Sequence, residues 1–312
     1  MDQFLFAIGK TVRPRQWLKN LAIFTPILFT GQLFNPQAFR VTTWAFVAFC
    51  LLSSSNYILN DILDVAKDRK HPFKKFRPIA SGKISISTAS IILGVFAVAG
   101  IYISKGLGHS FFLFAVTFLL LQYAYSLFLK HFSVIDILAI TAAYILRVYA
   151  GEAASGFHIS IWLAMAALSL ALFLAIGKRR AELTLMQSYQ GVVPRDTRES
   201  LLHYSEKLLD TYTAMFANST FITYSFFTFL TKPETRGFFY QTYNQFIPDF
   251  PDRKWMMITI PFVLYGIMRY MQLIYEGKGE SPEKVLTSDL PLLATVILWV
   301  GSVLLVVYGI GG

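Results

Sequence analysis

The sequence predicts an all-α, polytopic membrane protein of nine transmembrane helices. Composition and the spacing of apolar runs both predict it. Of 312 residues 55% are hydrophobic and 29 are Phe, and mean hydropathy is +0.51. The apolar residues gather in runs of about 20, the length that crosses a hydrocarbon core of about 30 Å. The expected spans are 18–36, 41–60, 84–104, 110–129, 134–151, 159–177, 211–231, 255–275 and 290–310, all in one domain over 1–312. The first follows a basic arm (Lys10, Arg13, Arg15, Lys19) without a cleavage pattern, so a span is expected rather than a signal peptide. The others are apolar nearly all round, the pattern of helices buried in lipid or in one another. The second ends in an acidic run from Asn60, and the sixth ends at Gly177 before Lys178-Arg179-Arg180.

Cations orient the spans. The N-terminal arm, the 61–83 loop, Lys130, the 178–210 loop, Lys278 and Lys284 together hold twenty Lys and Arg residues. The opposite side holds six: Arg40, Lys105, Lys232, Arg236, Arg253 and Lys254. The positive-inside rule places the N-terminus and the long loops in the cytoplasm and the C-terminus outside, in the cell (inner) membrane. The net charge of +10 then follows largely from topology and from anionic substrates and headgroups, and calls for no nucleic acid.

Several chemistries are absent. Cys50 is the single cysteine, inside the second span, where a thiol acts as a small hydrophobe. There is no GxGxxG or GxxxxGK[ST] motif, and the five histidines (71, 109, 131, 158, 203) have no zinc spacing.

The segment Asn60-Asp61-Ile62-Leu63-Asp64-Val65-Ala66-Lys67-Asp68 places three carboxylates at the end of an apolar run. If the helix that begins near Val41 continues through it, Asn56, Asn60, Asp64 and Asp68 share one face with Asp61 beside them. Membrane-edge acids are functional candidates. Mg²⁺, a hard cation held jointly by carboxylates and substrate phosphates, relieves their repulsion and makes Asp61, Asp64 and Asp68 the metal-binding and catalytic set. The bland reading is a solvated mixed-charge turn, since Lys67, Arg69, Lys70, Lys74, Lys75 and Arg77 crowd the same loop.

In its setting, NDxxDxxxDxxHPxxxxRPIASG from Asn60 to Gly82 resembles the first aspartate-rich motif of the UbiA-type intramembrane prenyltransferases. Arg13-Pro14-Arg15-Gln16-Trp17-Leu18-Lys19-Asn20 and Tyr125-Ser126-Leu127-Phe128-Leu129-Lys130 extend the resemblance along nearly the whole chain. It implies a helical bundle around a central cavity, cytoplasmic substrate loops, and Mg²⁺ between aspartates and a diphosphate. Aromatic-ring prenyltransferases of that family carry a second, DxxxD-type motif at the end of span six. Here the place reads Ile176-Gly177-Lys178-Arg179-Arg180-Ala181-Glu182-Leu183. One acidic and one basic pole suit two anionic substrates, one met through metal and the other by direct phosphate contacts. This pattern, with Tyr265-Gly266-Ile267-Met268-Arg269-Tyr270 and Gly279-Glu280-Ser281-Pro282-Glu283, resembles the branch that joins a polyprenyl phosphate to phosphoribosyl diphosphate. A stop-transfer anchor is the bland alternative for Lys178-Arg179-Arg180.

On that resemblance, Mg²⁺ held by Asp61, Asp64 and Asp68, with Asn60 orienting, activates the diphosphate leaving group. The lipid phosphate attacks the anomeric carbon in line, with inversion and without a general base. Substrate contacts are expected from Lys19, Asn60, Lys74, Arg77, Tyr125, Lys130, Arg147, Lys178, Arg179 and Arg180. Arg147 lies about 16 Å along a helix from Asp136, too far to pair; Glu152, one turn on, is a candidate partner, and a structural polar pair and a substrate contact weigh equally for Arg147. The alternatives are aromatic-ring prenylation and an anionic-metabolite transporter; against transport, no inverted repeat or broken-helix pair is seen. A homo-oligomer is neither required nor excluded.

Overall fold

The computed structural model describes residues 2–70, 74–188, 199–231, 237–239, 254–277 and 281–311, and side chains within them except at 2–5, 185–188 and 199. His71 and Pro72 of the acidic motif, Gly279-Glu280, and the cations Arg195, Arg198, Lys232, Arg236, Arg253 and Lys278 lie outside the described residues. Twelve α-helices, joined by short 3-10 and π segments, make up nearly all of the described chain. Among the described residues seven helical segments are long and apolar enough to cross a membrane: Pro36–Leu63, Ile86–Gly106, His109–Leu127, Ile135–Ser155, Ile161–Thr184, Trp255–Tyr275 and Leu290–Ile310.

Two of the nine expected spans differ from that set. The stretch expected as 18–36 is a 3-10 run, Pro14–Phe24, followed by the short helix α2, Thr25–Phe29. Pro26 supplies no N–H to continue the preceding turn, which helps to break the segment. The seventh falls within α9, Glu206–Leu230, a 25-residue helix rich in Thr and Ser. Its hydroxyls bond back to its own carbonyls, as in Thr213 Oγ1 to Leu209 O (2.7 Å) and Thr220 Oγ1 to Phe216 O (2.7 Å), so they cost little when buried. An unexpected helix, α1 (Asp2–Val12), precedes the basic run.

The chain comprises two compact units. The first contains Met1–Ile23, Arg40–Ala154 and Gly191–His203. Most of α3 (Pro36–Leu63), α4 (Val65–Lys70), α5 (Ile86–Gly106), α6 (His109–Leu127) and α7 (Ile135–Ser155) belong to it. Its core joins Phe49, Leu52, Phe111 and Phe118 to the small residues Ala45, Ala48, Ala115, Ala143 and Ala150. Small side chains bring the helices close, as they must where lipid offers no hydrophobic drive to association. A Cβ at Gly100 of α5 would lie 2.7 Å from Leu52 Cδ2. A second cluster of Ala7, Ile58, Val65, Ile79, Ile84 and Ala89 packs beneath the acidic segment.

The second unit contains Phe24–Phe39, Ser155–Gln190 and Tyr204–Gly312. Here α8 (Ile161–Ser188) pairs with α9 and meets α10 (Ile260–Tyr275). The helix α11 (Pro282–Ser288) leads into α12 (Leu290–Leu304). A Cβ at Gly177 would lie 2.6 Å from Ile274 Cδ1, so glycine allows α8 and α10 to touch. Tyr308 OH ties the last turn to Ile27 O (3.0 Å) and Leu28 O (3.1 Å).

Candidate active site

The acidic segment is helical, with a joint. α3 starts at Pro36 rather than near Val41, ends at Leu63, and α4 resumes at Val65. Asp64 occupies the joint, yet two helix-type bonds cross it: Asp64 N to Asn60 O (3.0 Å) and Asp68 N to Asp64 O (2.8 Å). The i, i+4 spacing therefore carries Asn60, Asp64 and Asp68 along one side.

Each carboxylate meets a cation. Asp61, 3% exposed, accepts from Arg13 Nη2 and from Arg77 Nη1, the latter at 3.0 Å. Arg77 Nη1 also reaches Asp68 Oδ2 at 2.6 Å, so one guanidinium bridges two buried acids. Lys130 Nζ lies 3.2 Å from Asp64 Oδ1 and 3.3 Å from Asn60 Oδ1. Buried acids paired in this way are spared the cost of isolated charge.

Local structure aims each cation. The Pro78-Ile79-Ala80-Ser81-Gly82 turn is closed by Ser81 N to Arg77 O (2.9 Å) and Gly82 N to Ile79 O (3.2 Å). Gly82 takes a φ of 77°, where a side chain would be strained. Ile79 and Ile84 are buried and anchor the turn, which points Arg77 at the acids. Lys130 sits in a 3-10 turn, Leu129–His131, just after α6. Arg13 itself has a φ of 56°, a left-handed conformation costing a non-glycine residue roughly 1 kcal/mol. The turn there ends α1 and delivers the guanidinium to Asp61 and over the Tyr57 ring at 5.3 Å.

The N-terminal motif lies along α3 in antiparallel register. Asn20 meets Cys50 and Ser53, Trp17 Nε1 donates to Ser54 Oγ (3.0 Å), Tyr57 OH donates to Gln16 Oε1 (3.3 Å), and Arg13 reaches Asp61. Residue-type reasoning placed no site role on Arg13, Gln16, Trp17 or Asn20. Their spacing of three to four residues was the available signal.

The remaining expected residues fall in other settings. Lys19 Nζ donates to Gln16 Oε1 at 2.6 Å. Lys74 is exposed and Tyr125 half-buried, with Ser126 next to it donating to Asn56 Oδ1 at 2.9 Å. Arg147 does not turn to Glu152. Its Nε donates to Asn20 Oδ1 (2.7 Å) and its Nη1 to Ala143 O (2.6 Å), under the Phe118 ring at 4.6 Å. Asp136 accepts from Ser200 Oγ at 3.2 Å.

In the second unit Lys178, Arg179 and Arg180 are part of α8, which continues to Ser188 because no breaker follows Gly177; they are not in a loop. Successive helical residues point about 100° apart. Lys178 is half-buried, and Arg179 is 0% exposed with Nη1 on Glu182. Arg180 is engaged on three sides, by Asp210 Oδ1 (2.7 Å), Glu206 Oε2 (3.2 Å) and Thr184 Oγ1 (2.6 Å). It joins α8 to α9.

The acids offer hard oxygen donors of the kind Mg²⁺ selects. Among the described residues no three His, Cys, Asp or Glu groups converge as a metal cage.

The acids at the end of α3 and in α4 thus combine hard-oxygen donors with bracketing cations on an all-helical, membrane-type fold. The UbiA prenyltransferase family matches residues 22–181, just over half of the chain, and the chain belongs to that family. Its curated relatives include the decaprenyl-phosphate phosphoribosyltransferases of Mycolicibacterium smegmatis (32% identical, covering 96% of this chain and 92% of the relative) and of Corynebacterium glutamicum (32% identical, 96% and 86%). The protein of the same name from Mycobacterium tuberculosis is 30% identical over 95% of this chain and 92% of its own. Among solved structures, a UbiA homologue from Archaeoglobus fulgidus bound to GPP and Mg²⁺ aligns with a TM-score of 0.71 at 17% identity, covering 96% and 99% of the two chains.

Proposed function

We infer that this chain transfers 5-phosphoribose from phosphoribosyl diphosphate to a polyprenyl phosphate, releasing diphosphate, in the synthesis of lipid-linked sugar for the cell envelope. The observation that carries this reading is the similarity, at 32% identity over 96% of the chain, to a protein of that named activity. The charge pattern supports it. Asp61, Asp64 and Asp68 already meet Arg13, Arg77 and Lys130, so the site offers phosphate-binding N–H donors within reach of its metal-binding oxygens. Where the aromatic-ring enzymes of the family carry a second acidic motif, α8 carries Lys178 and Arg179.

Asp61, Asp64 and Asp68, with Asn60, would hold Mg²⁺. When bound, the ion neutralises the diphosphate and makes it a better leaving group. Arg13, Arg77 and Lys130 turn their donors to phosphate oxygens and hold the donor substrate in place. The lipid phosphate oxygen is already anionic and attacks the anomeric carbon as its bond to diphosphate breaks. The configuration inverts, and no proton needs removing. Lys178, half-buried on α8 of the second unit, is the residue we assign to a second anionic group. The cation asymmetry supports a cytoplasmic N-terminus and acid cluster and an outside C-terminus.

The test is to incubate the purified protein with labelled phosphoribosyl diphosphate, a polyprenyl phosphate and Mg²⁺. A lipid-extractable phosphoribose that disappears with chelator is the expected product. Its absence, with prenylation of an aromatic acceptor from a prenyl diphosphate, would replace this reading.

A further inference from the structure

Arg147 is 2% exposed within a membrane-crossing helix, a place where a cation requires a reason. Its charge is met by Asn20 Oδ1, the Ala143 carbonyl and the faces of Phe118 and Tyr144. Asn20, itself 0% exposed, is held by two helices, α7 and α3: it accepts from Arg147 and from Ser53 Oγ (3.4 Å), and its Nδ2 donates to Cys50 Sγ at 3.3 Å.

One turn further along α7 lies Gly151. A Cβ there would collide with the carbonyl of Ile23, three residues after Asn20. Arg147 and Gly151 occupy the same face at i and i+4, so two separate features of α7 grip residues 20–23, one by hydrogen bond and one by close backbone approach. From that grip the 3-10 run passes down α3 to Trp17 on Ser54, and Ser54 Oγ also donates to Val12 O at 3.0 Å. The next residue is Arg13, in its left-handed turn, on Asp61.

We propose that Arg147 and Gly151 clamp the N-terminal run onto α3 and thereby set Arg13 on Asp61, making Arg147 a positioning residue for donor binding and not a substrate ligand. The proposal deepens the functional reading above and rests on it. A pinned run of this length keeps its first residue from sliding along α3, because a shift of one residue would break the contacts at Asn20, Trp17 and Gln16 together. Arg13 is then preorganised for a phosphate without spending binding energy to order it.

The experiment uses the full chain in detergent or nanodiscs. Asn20→Ala should raise the KM for phosphoribosyl diphosphate at least tenfold, about 1.4 kcal/mol, and leave the KM for polyprenyl phosphate within twofold. In an Arg13→Gln background the same substitution should add little, since it acts through Arg13. Arg147→Gln and Gly151→Ala should repeat the pattern. Additive effects in that cycle, or an equal rise in both Michaelis constants, overturn the proposal. A readout without turnover separates it from the functional reading. In a Cys50→Ser chain with Arg13→Cys and Asp61→Cys, bismaleimide cross-linking should fall several-fold when Asn20→Ala is added. Unchanged cross-linking overturns the clamp. A wild-type chain that forms no lipid-linked phosphoribose fails the functional reading, and the cross-linking comparison still decides the clamp.

Discussion

Asp64→Ala separates the chemistry of the site from its contribution to folding. Asp64 is one-quarter exposed on its side chain, and its partner Lys130 keeps Asn60 Oδ1 at 3.3 Å after the acid is gone. The Lys130 ammonium, 8% exposed, then faces a neutral acceptor in place of its carboxylate, while the Asp64 side of the pair is partly wet. Stability should fall by about 2 kcal/mol, less than for a fully buried pair. Against a typical reserve of about 5–15 kcal/mol the protein remains folded. Turnover should fall far more. Removing one fixed charge from the metal-binding set costs at least about a hundredfold, or about 2.7 kcal/mol of transition-state stabilisation. Product formation at saturating Mg²⁺ and both substrates, paired with a melting curve of the same preparation, measures the two numbers side by side. A folded Asp64→Ala protein working within threefold of wild type would refute the metal role. So would a rate loss that merely follows the loss of folded protein.

Arg77→Ala should lower turnover and also destabilise by about 3 kcal/mol, since it strips a shared partner from Asp61 and Asp68, both 3% exposed; Arg77→Lys should recover only part, because one ammonium lacks the fork that spans two acids. Thermal or denaturant melts compare the pair. In the second unit, Arg180→Gln should lower the melting temperature with little change in either Michaelis constant, because Asp210 and Glu206 hold its guanidinium. Lys178→Gln should raise at least one Michaelis constant tenfold or more, and constants unchanged for both substrates would favour aromatic prenylation. For topology, cysteines at positions 75 and 105 should label from the cytoplasmic and outer faces respectively; the reverse pattern would remove the cytosolic donor.

Much of this protein is legible from composition and spacing, because lipid forces every backbone group into its own helix. That requirement is why the runs 84–104, 110–129 and 134–151 reappear as Ile86–Gly106, His109–Leu127 and Ile135–Ser155 with ends shifted by only a few residues. The acidic run was equally visible, since Asp61, Asp64 and Asp68 are anomalous at a membrane edge and their spacing follows the helix. What lay beyond local pattern was partnership. Arg13 and Asp61 are 48 residues apart, Lys130 and Asp64 66, and Arg147 and Asn20 127. No periodicity connects such positions, and only the packing of one segment on another chooses between partners of similar charge. The same reason explains the two residues whose neighbours were misjudged or unforeseen. Arg147 has Glu152 near it in sequence but turns to Asn20, because the 3-10 run crosses α7 at Gly151. Arg180 stands in a run of three cations that look alike in sequence, and the 100° step of the helix turns it to Glu206 and Asp210 of α9.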